Sequence, residues 1–499
     1  MIPAKERAAI IQSLAAGLVP SIGVQHIQVG RNDEVQALVR DLDQIADGGA
    51  ACRFVIGRYG SGKTFFLSLL RYVALQRKFV VAHADITTER RLQGSGGQAQ
   101  SLFRELTKNM STRSRPDGGA LSNLVERWIG DVDQAVRDSG GNADGVKQEI
   151  VRRLKPLQDL VAVYDFANVL SRYYEGFVVQ NDDLQQSALR WLRGEFATKT
   201  EAREHLGVRS IIDDDSVYDY LKLMAAFVRL AGFAGLLINV DEMVVLSHRL
   251  NNSIARNNNY EAVLRILNDC LQGRASGIGF MFAATPECLE DRRRGIFSYE
   301  ALASRLAPNR FAADGRRDLM SPVIRLENLT PEDCFVLLHN IRDVFEEGQG
   351  KRLLPDEAIG NYLEMCQRRM GAAYFQTPRD TAMDFVKLLQ VIEQNPTTSW
   401  TELLEIKKNE PFKTSTDPAL STRAVGDDMA SISVCRLDRR IAGRTDSSQP
   451  MAHGMGPSPA ITRDRDPRDP VIGKRRRAGR PDRRRKNRGC FPANPVSRL

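Results

Sequence analysis

Gly57-Arg58-Tyr59-Gly60-Ser61-Gly62-Lys63-Thr64 spells G-x-x-x-x-G-K-[ST], and it follows directly on the apolar run Cys52-Arg53-Phe54-Val55-Ile56. The run reads as a buried strand, and residues 63–76 read as a helix. Glycines at both ends of such a loop let the backbone close around phosphate oxygens and aim its N–H groups at them. The phosphate then sits on the positive N-terminal end of the helix. In that setting Gly57, Arg58, Tyr59, Gly60, Ser61 and Gly62 form a phosphate cradle. Lys63 reaches the β- and γ-phosphates, and the Thr64 hydroxyl is placed to ligate Mg²⁺. The expected ligands are ATP and Mg²⁺.

Phe79-Val80-Val81-Ala82-His83-Ala84-Asp85-Ile86 is a second strand, so strand, helix and strand recur at βαβ spacing. That order predicts an α/β fold with a mainly parallel sheet flanked by helices. Further strands are expected at 235–240 and 278–284, and the stretch from Thr87 to Leu230 reads as a large helical insertion broken by Gly-rich turns. Upstream, residues 3–18 read as a helix and 24–29 as extended chain. Gly30-Arg31-Asn32-Asp33-Glu34-Val35 then starts a second helix, with Asn32 or Asp33 as its cap. A C-terminal helical block opens at Leu329-Thr330-Pro331-Glu332-Asp333, where Thr330 and Asp333 form a capping box. The expected division is a P-loop ATPase core over 1–326, a helical lid over 327–411 and a basic tail over 412–499.

Hydrolysis needs more than a phosphate loop. Leu236-Leu237-Ile238-Asn239-Val240-Asp241-Glu242 is an apolar strand ending in two carboxylates. Asp241 suits the Mg²⁺ shell, and Glu242 suits the base that orients and deprotonates the attacking water. Gly277 to Pro286 is another buried strand, and Thr285 at its end either faces the γ-phosphate or simply precedes Pro286. Arg379, in Thr377-Pro378-Arg379-Asp380, lies in the first turn of a helix. It either contacts the γ-phosphate in cis or is an ordinary surface arginine. Arg305 either reaches a neighbouring subunit's nucleotide as a finger or is a solvated helical arginine.

The 499 residues carry a net charge of +9, which invites a nucleic-acid reading. The surplus is local. Residues 429–499 hold 18 Lys+Arg against 6 Asp+Glu, which leaves 53 against 56 in the rest of the chain, from totals of 71 and 62. Eight of the 21 prolines also fall there, hydrophobic periodicity is lost, and the tail reads as disordered. It is either a basic arm or an unselected extension. No apolar run approaches the roughly 20 residues of a membrane span. The N-terminus leads into an amphipathic helix without a signal-peptide pattern. The seven cysteines are scattered, with no C-x-x-C pair, as in a reducing cytoplasm.

The order and spacing of these elements resemble the AAA+ class, especially its origin-recognition/Cdc6-like branch. Gly30-Arg31-Asn32-Asp33-Glu34 looks like the segment that lies against adenine, which implies nucleotide-binding roles for Gly30 and Arg31. Asp241-Glu242 looks like Walker B, Thr285 like sensor 1, Arg379 like sensor 2 and Arg305 like the arginine finger. Longer strings carry a narrower likeness: Trp191-Leu192-Arg193-Gly194-Glu195, Ser253 to Tyr260, Asn268 to Arg274 and Ser298 to Leu302. They resemble the bacterial ATP-binding proteins of BREX-type phage-defence loci (the BrxD family), over residues 3–410. The resemblance implies a cytoplasmic ATPase working with an Lhr-like superfamily-2 helicase and other phage-defence proteins, on DNA directly or through a partner. A finger at Arg305 implies a homo-oligomer. The basic tail lacks the apolar pattern of a folded DNA-binding module. A nucleotide-dependent switch or scaffold with little turnover, and an origin-type loader, are the alternatives.

Overall fold

The computed structural model describes residues 1–408 apart from 161–162, 313–315, 348–351 and 371–376, and the basic tail lies outside the described residues. In chain order the elements are α1 (Ala4–Ala15), α2 (Asn32–Ala46), β1 (Ala50–Ile56), α3 (Lys63–Gln76), β2 (Val80–Asp85) and α4 (Gln98–Lys108). A run of helices follows: α5 (Ala120–Asp138), α6 (Ala143–Leu154), α7 (Val163–Val178), α8 (Asp182–Leu192), α9 (Lys199–Leu206) and α10 (Val217–Leu230). Then come β3 (Leu236–Asp241), α11 (Ser253–Leu271), β4 (Ile278–Ala284), α12 (Pro286–Glu290), α13 (Glu300–Leu306) and β5 (Val323–Arg325). The chain closes on α14 (Pro331–Glu346), α15 (Asp356–Met370), α16 (Pro378–Gln394) and α17 (Trp400–Lys408).

The strands form one sheet in the order β2-β3-β4-β1-β5, and every pairing is parallel. β1, β3 and β4 are buried along their whole length because helices cover both faces, which explains their continuous apolar runs. Alternation is still visible in β1. Cys52, Phe54 and Ile56 face the core shared with the large helical block, while Ala51 and Val55 face the core made with α2 and α3. Arg53, on the second face, is buried with Asp41 of α2, to which Nε and Nη2 donate at 2.6 Å each. A third apolar cluster joins α14, α15 and α16 to Ile10 of α1 and to Ile27, so the N-terminal segment packs on the C-terminal block.

Two local expectations change, and one strand went unread. The expected extended stretch 24–29 opens instead on a short 3₁₀ turn, Val24–His26, where Gly23 at φ 83° turns the chain under Ile10. Neither Asn32 nor Asp33 caps α2. Arg31 takes the cap position in a left-handed conformation without a side-chain cap bond, since a guanidinium carries only donors and cannot accept from the helix N–H groups. The edge strand β5 has three residues, too few for a period to register in sequence. The Thr330–Asp333 capping box is present as expected. Among the described residues no helix is long and apolar enough to cross a membrane.

Candidate nucleotide-binding site

β1 delivers the phosphate loop, and the Gly57 N–H donates to the Ala284 carbonyl (3.1 Å), which pins the loop to the end of β4. Gly62 adopts φ 91° and Gly60 φ 73°, a region that L side chains enter at a cost of about 1–2 kcal/mol. Gly60 has a second constraint: a Cβ there would lie 2.5 Å from the Thr377 hydroxyl. Lys63 opens α3, and its ammonium turns back over the loop to donate to the carbonyls of Gly57 (3.0 Å) and Arg58 (3.1 Å). Burial lowers its pKa, opposed by the carboxylates of Asp241 and Glu242.

Those carboxylates stand at the end of β3. Thr64 Oγ1 donates to Asp241 Oδ2 at 2.7 Å, and Asp241 Oδ1 accepts the Glu242 N–H at 2.7 Å. Two adjacent hard oxygen donors, a hydroxyl and a carboxylate, are the ligand type that Mg²⁺ prefers, so these residues fit that ion. Glu242 itself sits at φ 59°. The turn carries one bond to the neighbouring strand, from Met243 N–H to the Ala283 carbonyl, and one local bond, from Val245 N–H to the Glu242 carbonyl. It brings Glu242 to the wall of the cavity that Lys63 and Thr64 also line. Burial first, and Asp241 next, raise the Glu242 pKa, while Lys63 pulls the other way.

Asp85 adds to that upward push. It ends β2 directly opposite Asp241 in the parallel register, and its own carboxyl is lowered by a hydrogen bond from His83. Sequence reading assigned Asp85 no role. Its signal was an acidic residue closing a strand, which means nothing until β2 is known to pair with β3.

The cavity measures about 290 Å³. Loop and acidic residues form its polar end. Leu14 of α1, with Leu18, Val19 and Pro20 just after that helix, and Leu329 and Leu337 of the C-terminal block supply its apolar lining. A polar end with a fixed cation and an apolar lining of this kind suit a phosphorylated ligand with a flat ring. A family model for the BREX system ATP-binding proteins BrxC/D matches residues 2–408. The chain belongs to that family. Membership makes it an ATP-binding protein and implies a role in BREX phage defence. Among curated proteins none matches it.

In this BREX ATP-binding protein the remaining expected residues stand in different relations to the cavity. Arg31 lines it, and Nη2 donates to the carbonyls of Ser61 (2.8 Å) and Glu327 (3.1 Å), joining the phosphate loop to the start of the C-terminal block. Burial lowers its pKa. Gly30, at φ 58°, passes so close to Asp333 that a Cβ would sit 3.2 Å from its carboxylate oxygens. Arg379 lines the cavity from the first turn of α16, and Nη1 donates to the Tyr59 hydroxyl at 2.9 Å. Thr285 directly follows β4, the strand between β1 and β3, and its hydroxyl accepts the Cys288 N–H at 3.3 Å to cap α12. It is not one of the lining residues. Arg305 stands apart on α13, where Nε donates to Asn268 Oδ1 and Nη1 to the Ala301 carbonyl, both at 2.7 Å.

Proposed function

We propose that the chain is a Mg²⁺-dependent ATPase of BREX phage defence, of the BrxD type within the AAA+ class, that couples hydrolysis to a partner helicase or to DNA. The observation that carries the reading is the Thr64–Asp241 hydrogen bond at 2.7 Å. It joins the phosphate loop to the acidic strand end and leaves Glu242 beside Lys63 in one cavity. The position of β4 between β1 and β3, with Thr285 at its end, supports the AAA+ assignment, as does a helical lid formed by α14 to α16.

In this reading the loop N–H groups and Lys63 bind the β- and γ-phosphates, and Arg379 reaches the γ-phosphate from the lid. Thr64 and Asp241 would hold Mg²⁺, which would supply neutralisation of the phosphate charge. Glu242 accepts a proton from water. The water oxygen bonds to the γ-phosphorus as the bond to the bridging oxygen breaks, leaving ADP and phosphate. A raised Glu242 pKa suits a base that must hold a proton during this step.

Two variants test the assignment. Lys63→Ala should lose ATP binding, measured by titration calorimetry. Glu242→Gln should bind ATP with near wild-type affinity and lose turnover by about 10²-fold or more, as when a general base is removed. Wild-type phosphate release by Glu242→Gln would sink the mechanism. Coupling is read by adding duplex DNA, single-stranded DNA and the locus's helicase separately to a steady-state assay. A rate unmoved by all three would remove it.

A further inference from the structure

Tyr59 is a large aromatic side chain in the middle of the phosphate loop, and it is 67% exposed. Burial therefore does not explain its position. Its partner is the C-terminal block: the Arg379 guanidinium carbon lies 5.7 Å from the Tyr59 ring centroid, and Nη1 donates to the phenolic oxygen at 2.9 Å. The next residue repeats the contact, since Gly60 has no side chain and Thr377, the cap of α16, fills the space a Cβ would need. On the other side, a Cβ at Gly17 (φ 68°) would come within 3.4 Å of Arg379 Nε and 3.2 Å of Met383 Sδ. Arg379 is thus held between the loop and the turn that ends α1.

The geometry points to Tyr59 as the positioning residue that docks the first turn of α16 on the phosphate loop and aims Arg379 at the terminal phosphate. The inference rests on the reading of Arg379 as the residue that contacts the γ-phosphate. A guanidinium has five N–H donors in a fixed fork, and the Tyr59 hydroxyl occupies one of them. The others stay available to phosphate oxygens, so the contact pre-orients Arg379 without competing for it. ADP lacks the phosphate that Arg379 would reach. The contact therefore acts on the discrimination of ATP from ADP more than on nucleotide affinity as a whole.

The test measures Kd for ATP and ADP, with melting temperature, on the full-length protein and on Tyr59→Phe, Tyr59→Ala, Arg379→Ala and the Tyr59→Ala/Arg379→Ala double variant. Loss of one hydrogen bond should lower the ATP preference of Tyr59→Phe by about 5-fold. Loss of the ring as well should take Tyr59→Ala to about 10-fold or more. In the ratio of the two Kd values the double variant should match Arg379→Ala. If Arg379→Ala loses the preference while both Tyr59 variants keep it, the role of Tyr59 is overturned, even with a lowered melting temperature. Tighter ATP binding by Tyr59→Phe would overturn it too, because Tyr59 would then be withholding Arg379. If Arg379→Ala itself keeps the preference, the reading of Arg379 fails and the inference falls with it.

Discussion

Glu242 concentrates three constraints in one residue: a left-handed backbone, partial burial and the neighbouring charge of Asp241. The last two favour its protonated form and raise its pKa above the ordinary 4.5. An acid raised on folding contributes stability below its unfolded pKa, and that contribution is lost as pH rises through the folded value. At neutral pH the ionised side chain is therefore a cost. Glu242→Gln should melt above wild type near pH 7, and the gap should close as pH falls below the unfolded value. Turnover by the wild type should fall on the acid side at a pH above 4.5, the ordinary value for the group. Scanning calorimetry and phosphate release across pH measure the two effects, and equal melting at neutral pH would contradict the first. The identity of Glu242 was legible as the second carboxylate of an acidic pair. Its φ was not, because the turn is anchored on β4 through the Met243 N–H and the Ala283 carbonyl, a pairing of distant segments.

At the scale of elements, local signals and tertiary ones separate cleanly. The α14 cap was readable because Thr330 and Asp333 are three residues apart and satisfy each other's backbone. The start of α4 shows the opposite case. Its N-terminal N–H groups are satisfied by Asp214, whose carboxylate accepts from Gly97 (2.8 Å), Ala99 (2.8 Å) and Gln100 (2.9 Å) across more than 100 residues. Asp214→Ala should cost about 2 kcal/mol by leaving those donors unpaired, at the upper end for a lost helix cap. Urea denaturation should show a lower midpoint with an unchanged slope, and Asp214→Asn should recover part of the loss. The α2 cap was misread for a related reason. Arg31 turns left-handed to reach Ser61 and Glu327, a long-range demand that overrides the local preference of Asn32 and Asp33.

For the whole molecule, three apolar clusters share the work. The helical block from α4 to α10 packs into the same core as β1, β3 and β4, so it is part of the sheet's support. The third cluster ties α1 to α14 and α16, which closes the cavity from above the loop. Arg305 lies outside that cavity, on the exposed face of α13. If it serves a neighbouring subunit, ATP-loaded Glu242→Gln should elute as a larger species than the nucleotide-free protein in size exclusion with light scattering. Arg305→Ala should then bind ATP but hydrolyse it about 10³-fold more slowly, the usual scale for a finger. A monomer in both states would count against a role in trans.

Sequence by itself determined the strand–loop–helix unit, the acidic strand end and the α/β alternation. Each of these is read from local patterns of apolar period, glycine placement or capping, one segment at a time. Only the tertiary structure decided that Thr64 meets Asp241, that Asp85 lies opposite it and that Tyr59 holds Arg379. Those contacts depend on strand order and on how the C-terminal helices seat on the sheet. Both are set by burial of apolar faces between distant segments, and no spacing along the chain records them.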